Sequence, residues 1–441
     1  MNKHASRLIP TIVVLLNLAA CGGGGSDPAP TTGGGTSPPP PPPPTANTVT
    51  IHTDAGWVAC QDGKNGTWTI LSSNNTTLTD FVCTINDANG EYGIAVAGVT
   101  GNKRIVKIVQ ATLNEVSYFN LDYPDVPATP AMVSVTLNVL NTTQPVQVVN
   151  IGNQQIAFSS LTSGTQTVML EAGSRDVAAV ELDAQQNITG NMYLQRSVSI
   201  EDGATIDIDF DNATIPSSAL IDYALNISPP TNTDAKARLF LQNGTVIPLN
   251  RPGNPVWTFV NQGLSDQDRF WLWAEHRLVT ASTKQYVRRE QMATATARPA
   301  PGDINWDLSE IPFLEVTDLS ISRASWNAFT PPTTVGHPPL RLYDIYLTQK
   351  PASGEVREWN ISLSTGWLGT ATAYSYTIPD FVTIASLPTD YALPSGEMTE
   401  GVVAAIMADI SLAEAARYLP SRFSIPNMVT ESSHWLINFT P

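Results

Sequence analysis

Cysteine is scarce in this chain, with three among 441 residues, and none of the three sits in a CxxC pair or beside clustered histidines. A structural zinc centre therefore lacks its ligand pattern. Histidine is also sparse, with five in the chain. Of the five, His52, His276, His337 and His434 lie beyond the N-terminal segment, and none belongs to an HExxH motif. The G-x-S-x-G elbow, the Walker loop and the Rossmann glycine fingerprint are all missing. Basic residues are outnumbered, 23 Lys and Arg against 39 Asp and Glu, a net charge of −16. Such a surface repels phosphate backbones and excludes nucleic acid as a partner. Amphipathic helical repeats are also missing, which points away from α and α/β folds.

The N-terminus carries three distinct parts. Lys3 and Arg7 form a positive n-region, Leu8 to Leu18 an apolar run broken by Pro10, Thr11 and Asn17, and Ala19 and Ala20 a small-residue step before Cys21. The run is about eleven residues, half of the roughly twenty that a spanning helix needs, so it reads as a cleaved export signal over residues 1–20. The quartet Leu18-Ala19-Ala20-Cys21 resembles the lipobox of bacterial lipoproteins. That resemblance implies cleavage before Cys21, diacylglycerol on its thiol and acylation of the new amino group, and so a membrane partner reached through lipid. Gly22 follows the cysteine in place of the aspartate linked to inner-membrane retention in enteric relatives, so the resemblance implies an outer-membrane address. The competing reading is an ordinary signal peptide with Cys21 an incidental thiol.

Residues 21–47 are low in complexity: Gly22 to Gly25, Gly33 to Gly35, and seven prolines from Pro38 to Pro44. Glycine-rich chain is flexible, and seven prolines in polyproline II form a rod of roughly 20 Å. The expectation is a disordered Gly/Pro tether. With Cys21 assigned to lipid, Cys60 and Cys83 remain as a pair, 23 positions apart, in a compartment where disulfides persist. Removing Lys3 and Arg7 leaves 21 basic against 39 acidic side chains, a formal balance of −18.

The rest of the chain reads as all-β. Runs rich in Val, Ile, Thr and aromatics recur between turn residues at intervals of eight to twelve. Expected strands include Thr48 to His52, Tyr92 to Val99, Arg104 to Ala111, Met132 to Leu140, Thr165 to Leu170, Asp176 to Leu182 and Thr205 to Phe210. Asp62-Gly63, Asn65-Gly66, Asn89-Gly90 and Asn243-Gly244 are hairpin turn signals. The pattern predicts several immunoglobulin-like or fibronectin-like β-sandwich domains in tandem. Proline-rich joints place them at 48–123, 124–215, 216–300 and 301–441. The stretch Glu400 to Tyr418 is open between helix and buried strand.

Within the first unit stand Gly56-Trp57-Val58-Ala59-Cys60-Gln61-Asp62-Gly63, Trp68, Gly90-Glu91-Tyr92-Gly93-Ile94-Ala95-Val96, Thr112 and Glu115. This pattern resembles β-sandwich modules of large, uncharacterised secreted bacterial lipoproteins. The resemblance spans roughly 70 residues and implies a fold and a compartment, not a reaction.

Two patterns invite a chemical reading. Asp207, Asp209 and Asp211 alternate with apolar residues, which places three carboxylates on one strand face near Asp202 and Glu201; Ca²⁺ takes six to eight oxygen ligands. The alternative is a solvated strand face. Trp271 and Trp273 share a strand face with Arg269 and Glu275 and can form a sugar-stacking platform or fill a core. Eight of ten tryptophans lie beyond residue 250, which directs a glycan-binding reading to the C-terminal half. Apart from lipid on Cys21 and this calcium candidate, no cofactor is expected. The function expected is a lipid-anchored envelope protein displaying non-enzymatic binding or structural modules, with a glycan or a protein as ligand. The alternatives are a carbohydrate-binding surface protein and, behind it, an envelope hydrolase.

Overall fold

The computed structural model describes residues 47–121, 131–144, 146–158, 163–183, 188–213, 215–224, 226–249, 256–260, 262–280, 283–295, 304–351, 354–417 and 427–441. The expected export signal, Cys21 and nearly all of the expected Gly/Pro tether lie outside these residues.

Strands dominate, and the expected runs form almost where the alternation places them: Thr48–Thr53, Glu91–Thr100, Lys103–Thr112, Met132–Leu140, Ser163–Glu171, Gly173–Leu182 and Thr205–Asp209. The class is all-β with several sheets. Residues 400–418, open on sequence, contain both elements. Thr399–Ala408 is a strand and Leu412–Arg417 a short helix, while Tyr418 lies outside the described residues.

The largest sheet has twelve strands. Its order across the molecule is Val246–Pro248, Thr233–Phe240, Arg269–Val279, Thr283–Thr294, Met428–Phe439, Thr399–Ala408, Leu340–Gln349, Val356–Ser364, Lys103–Thr112, Glu91–Thr100, Trp57–Asp62 and Trp68–Ser72. Neighbours run antiparallel except at one seam, where Val356–Ser364 lies parallel to Lys103–Thr112 with Ile361 opposite Ile108. That seam joins the first and last parts of the chain. The boundaries drawn at 215/216 and 300/301 therefore fall between strands of one sheet. Local alternation carries no information about a partner about 250 residues away, so continuity of the sheet was not legible.

Both faces of this sheet are covered. On one, Trp57, Ala95, Ile108, Ile361, Ile345, Val403, Val287, Leu272 and Leu239 belong to a single core, closed by Trp306, Trp326, Tyr376 and Phe381 from small sheets and turns. On the other, at the Trp57–Asp62 end, Cys60, Tyr92, Ile94 and Val96 meet Val49, Ile51, Cys83 and Phe119 of a three-stranded sheet. The Cys60–Cys83 disulfide ties these two layers, with Cα atoms 6.4 Å apart. Ile51, Tyr92 and Phe119 are essentially inaccessible, and such side chains stabilise by roughly 1.5–3 kcal/mol each.

A sandwich of two sheets occupies residues 131–213. Its sheets are Gln154–Phe158, Val146–Ile151, Gly173–Leu182, Ile188–Ile200 and Ser163–Glu171, Met132–Leu140, Thr205–Asp209. Leu137, Val149, Val177, Ile206 and Ile208 fill the space between. Ala178, Val180, Met192 and Leu194 point the other way, into the central core. The strand Gly173–Leu182 is thus buried on both faces, which explains its run Val-Ala-Ala-Val where a solvated sandwich strand alternates.

Candidate functional site

The strand Arg269–Val279 alternates strictly. Phe270, Leu272 and Ala274 enter the central core, so Trp271, Trp273 and Glu275 emerge on the opposite face. Registry adds neighbours on that face: Arg238 stands opposite Trp271 and Lys236 opposite Trp273 from one side. Met292, Glu290 and Arg288 face them from the other. The two indoles, their centroids 6.5 Å apart and tilted by 32°, pack with Met292 and Met428. They do not form an exposed platform, for Trp271 is 7% and Trp273 1% accessible. Sequence periodicity placed them correctly on one face. What covers that face was not readable, because Met292 and Met428 arrive on two other strands.

Cations surround the rings. Arg238 lies 5.4 Å from the Trp271 centroid, and Lys236 and Arg288 lie 4.7 and 5.2 Å from that of Trp273. Trp271 Nε1 donates to Glu290 at 3.2 Å. Arg288 donates to Glu275 at 2.6 Å and lies 3.5 Å from Glu290. Arg277 also engages Glu275. Further along, the His434 ring stacks on Tyr286 at 4.3 Å and its Nε2 meets Ser432 Oγ at 2.6 Å. Burial, with Arg288 adding to it, holds His434 well below the ordinary imidazole value, so the ring is neutral at neutral pH. In the same row of the sheet, burial pushes the Asp344 carboxyl up to about 6, against a hydrogen bond from Ser362 at 2.6 Å. Sequence reading singled out neither Asp344 nor Arg238.

The other histidines sit in separate surroundings. His52 pairs with Asp80 at 2.6 Å, and His276 Nδ1 lies 3.3 Å from Thr233 Oγ1. His337 bridges two carboxylates, Nδ1 to Glu431 at 2.7 Å and Nε2 to Glu310 at 2.8 Å. Each imidazole contacts groups of the framework.

Two of the three aspartates of the calcium reading, Asp207 and Asp209, accept hydrogen bonds from asparagine and backbone neighbours. Asp207 accepts from Asn138 at 2.8 Å. Asp209 accepts from Asn141 and Asn212, both at 2.7 Å, and from the Asp211 N–H at 3.1 Å, forming the cap of a short turn. Those bonds hold the Asp209 carboxyl below its usual range. Among the described residues no three acidic, histidine or cysteine side chains converge on a metal position.

The pattern quoted from the first unit turns out to be a set of fasteners. Asp62 accepts from the backbone N–H of Asn86 and of Asp87, both at 2.9 Å. Gln110 donates to Gln61 at 3.0 Å. A Cβ on Gly93 would meet Trp68 at 2.9 Å, so only glycine lets that ring lie across the strand. Glu115 accepts from Thr112, from Ser364 Oγ and from the Gly366 N–H at 2.8 Å. It thereby locks the turn after Lys103–Thr112 to the end of its parallel partner.

No protein-family model matches this chain, and no curated protein matches it. Solved structures show distant similarity. A DUF3823 family protein from Parabacteroides merdae aligns over 62% of this chain and 90% of its own, at 8% identity and a TM-score of 0.14. One from Bacteroides ovatus aligns over 70% and 99%, at 9% identity and a TM-score of 0.14. A Ca²⁺-stabilized adhesin described as helping an Antarctic bacterium reach out and bind ice aligns over 82% and 90%, at 11% identity and a TM-score of 0.11. Superpositions that poor carry nothing over about activity or ligand.

Proposed function

We propose that this chain is a lipid-anchored lipoprotein of the cell envelope that displays its β-rich body as a non-enzymatic binding or structural module. The observation that carries the reading is the quartet Leu18-Ala19-Ala20-Cys21, placed directly after a basic n-region and a short apolar run. The Cys60–Cys83 bond supports it, since such bonds persist in exported proteins. The net charge of −16 suits a soluble displayed body. Against a hydrolase reading, the candidate acids, bases and aromatics are engaged in holding the framework: His337 by two glutamates, His434 by Ser432 and Tyr286, Trp271 by Glu290.

The test is fractionation of cells expressing the full chain or its Cys21→Ala variant, followed by protease treatment of intact cells. Membrane association of the parent and release of Cys21→Ala bear out the anchor. Retention of Cys21→Ala in the membrane fraction refutes it. Digestion from outside then assigns the body to the cell surface, and protection until the outer membrane is opened assigns it to the periplasm.

A further inference from the structure

We propose that Arg238 and Arg269, beside Trp271 on the outer face of the large sheet, form a binding site for an oxyanion: a carboxylate or phosphate group. The site is independent of where or how the chain is anchored.

Seven arginines already have a counter-charge. Arg104, Arg175, Arg196, Arg277, Arg288, Arg289 and Arg323 each lie within 4.0 Å of a carboxylate. Among the described residues Arg238 has no such carboxylate, although acidic residues outnumber basic ones 39 to 23 in the full sequence. Its side chain is exposed, and its contact is the face of Trp271 at 5.4 Å. Partial burial against its neighbours lowers its pKa, with no acid acting in the other direction. The nearby carboxylates are committed elsewhere: Glu275 to Arg277 and Arg288, Glu290 to Trp271 and Arg288.

Arg269 supplies the second half. It is 9% accessible, and its Nη1 donates to the carbonyls of Asp266 at 2.6 Å and Asp268 at 3.0 Å. Its buried Nε has no acceptor, and neither has the buried Nε1 of Trp273. Buried donors without acceptors are costly and rare in folded proteins, and each calls for an explanation. Registry puts the two arginines on one face of the sheet. Arg238 is opposite Trp271 and Phe240 opposite Arg269, so the two arginines are diagonal neighbours on one face, roughly 7–8 Å apart at the backbone. Two long side chains at that spacing can close on a single anionic group. A guanidinium fork matches the paired oxygens of a carboxylate or phosphate, which an ammonium does not. Trp271 and Phe240, with ring centroids 6.4 Å apart, supply an apolar wall beside the charge. The chemistry common to a uronate-bearing glycan and to free phosphate is what this arrangement recognises.

The experiment is isothermal titration of the full-length protein in nonionic detergent with inorganic phosphate, with a galacturonate oligomer, and with a neutral galactose oligomer. Both acidic probes are expected to bind and the neutral one to give no heat, with affinity falling as salt is raised. Arg238→Ala is expected to weaken binding at least tenfold, and Arg238→Lys several-fold, because it keeps the charge and loses the fork. Unliganded thermal midpoints matching the parent's show that both variants fold, as an exposed position predicts. Galacturonate bound tenfold tighter than phosphate identifies an acidic glycan as the source, and equal affinities identify the oxyanion alone. Silence with both acids, equal binding of the neutral oligomer, or undiminished binding by Arg238→Ala overturns the proposal.

Discussion

Arg196, on a strand of the 131–213 sandwich, grips Asp268, which leads into the tryptophan strand of the large sheet, through Nη1–Oδ1 at 2.9 Å and Nη2–Oδ2 at 2.5 Å. The same guanidinium reaches Asp176 at 2.8 Å. Both carboxylates are wholly buried. Asp176 also accepts from Asn243 at 2.8 Å and from the Ser197 N–H at 2.9 Å. This cluster pins the sandwich to the large sheet.

Replacing Arg196 by alanine leaves two buried carboxylates short of their cation. A wholly buried pair broken this way costs about 3–5 kcal/mol. Since this guanidinium is 31% accessible, the expected loss is smaller, on the order of 2–3 kcal/mol. Urea unfolding checks it: the midpoint should fall, and an unchanged midpoint refutes the pinning role. The Asp176 carboxyl is held below its usual value: burial raises it, and the bonds from Asn243, Ser197 and Arg196 prevail. Its contribution is therefore present above the unfolded-state value of about 3.9 and is lost as pH falls through the folded-state value. Arg196→Ala should flatten that acid limb.

His337 makes the opposite prediction. Burial opposes its charge, but Glu431 and Glu310 together raise its pKa above the ordinary value. The stabilisation is complete below about 6.5 and disappears as pH rises through the higher folded-state value. Urea midpoints taken from pH 6 to pH 9 should decline in the parent and stay flatter in His337→Gln. Parallel curves would rule out the bridge as a source of pH dependence.

Gly366 has no room for a side chain, because a Cβ there would come within 2.5 Å of the Glu115 carboxylate. Gly366→Ala should break the lock across the parallel seam at a cost of roughly 1.5–3 kcal/mol, the range for hydrogen bonds to a charged group. Glu115→Ala should cost a similar amount. If the two act through one lock, the double variant will be clearly less destabilised than the sum of the singles. Strict additivity of the thermal shifts would show that they act separately.

Reduction of Cys60–Cys83, 23 positions apart, should lower stability by about 3 kcal/mol through loop-closure entropy in the unfolded chain. Dithiothreitol should therefore shift the urea midpoint of the parent and leave that of the Cys60→Ala/Cys83→Ala variant where it is. A parent insensitive to reductant would contradict the bond's contribution.

What composition and period two decide is local, and it was legible. The strands around Tyr92, Ile108, Leu137 and Ile206, the pairing of the two cysteines beyond Cys21, and the common face of Trp271 and Trp273 all follow from alternation and residue count. Nonlocal partners were not legible. Glu115 and Thr112 stood out as a pattern, yet their role needs Ser364 and Gly366, and Trp271 needed Met292 and Met428 to become a core residue instead of a platform.

The amino-acid sequence by itself determined an all-β body, because side-chain alternation and turn residues act over a few positions. Only the tertiary structure decided that strands from its first and last parts share one sheet, and that Arg238 and Arg269 flank a buried tryptophan. Those outcomes depend on nonlocal backbone pairing, at the seam across about 250 residues, and a hydrogen-bonding edge looks the same in sequence whichever strand it meets.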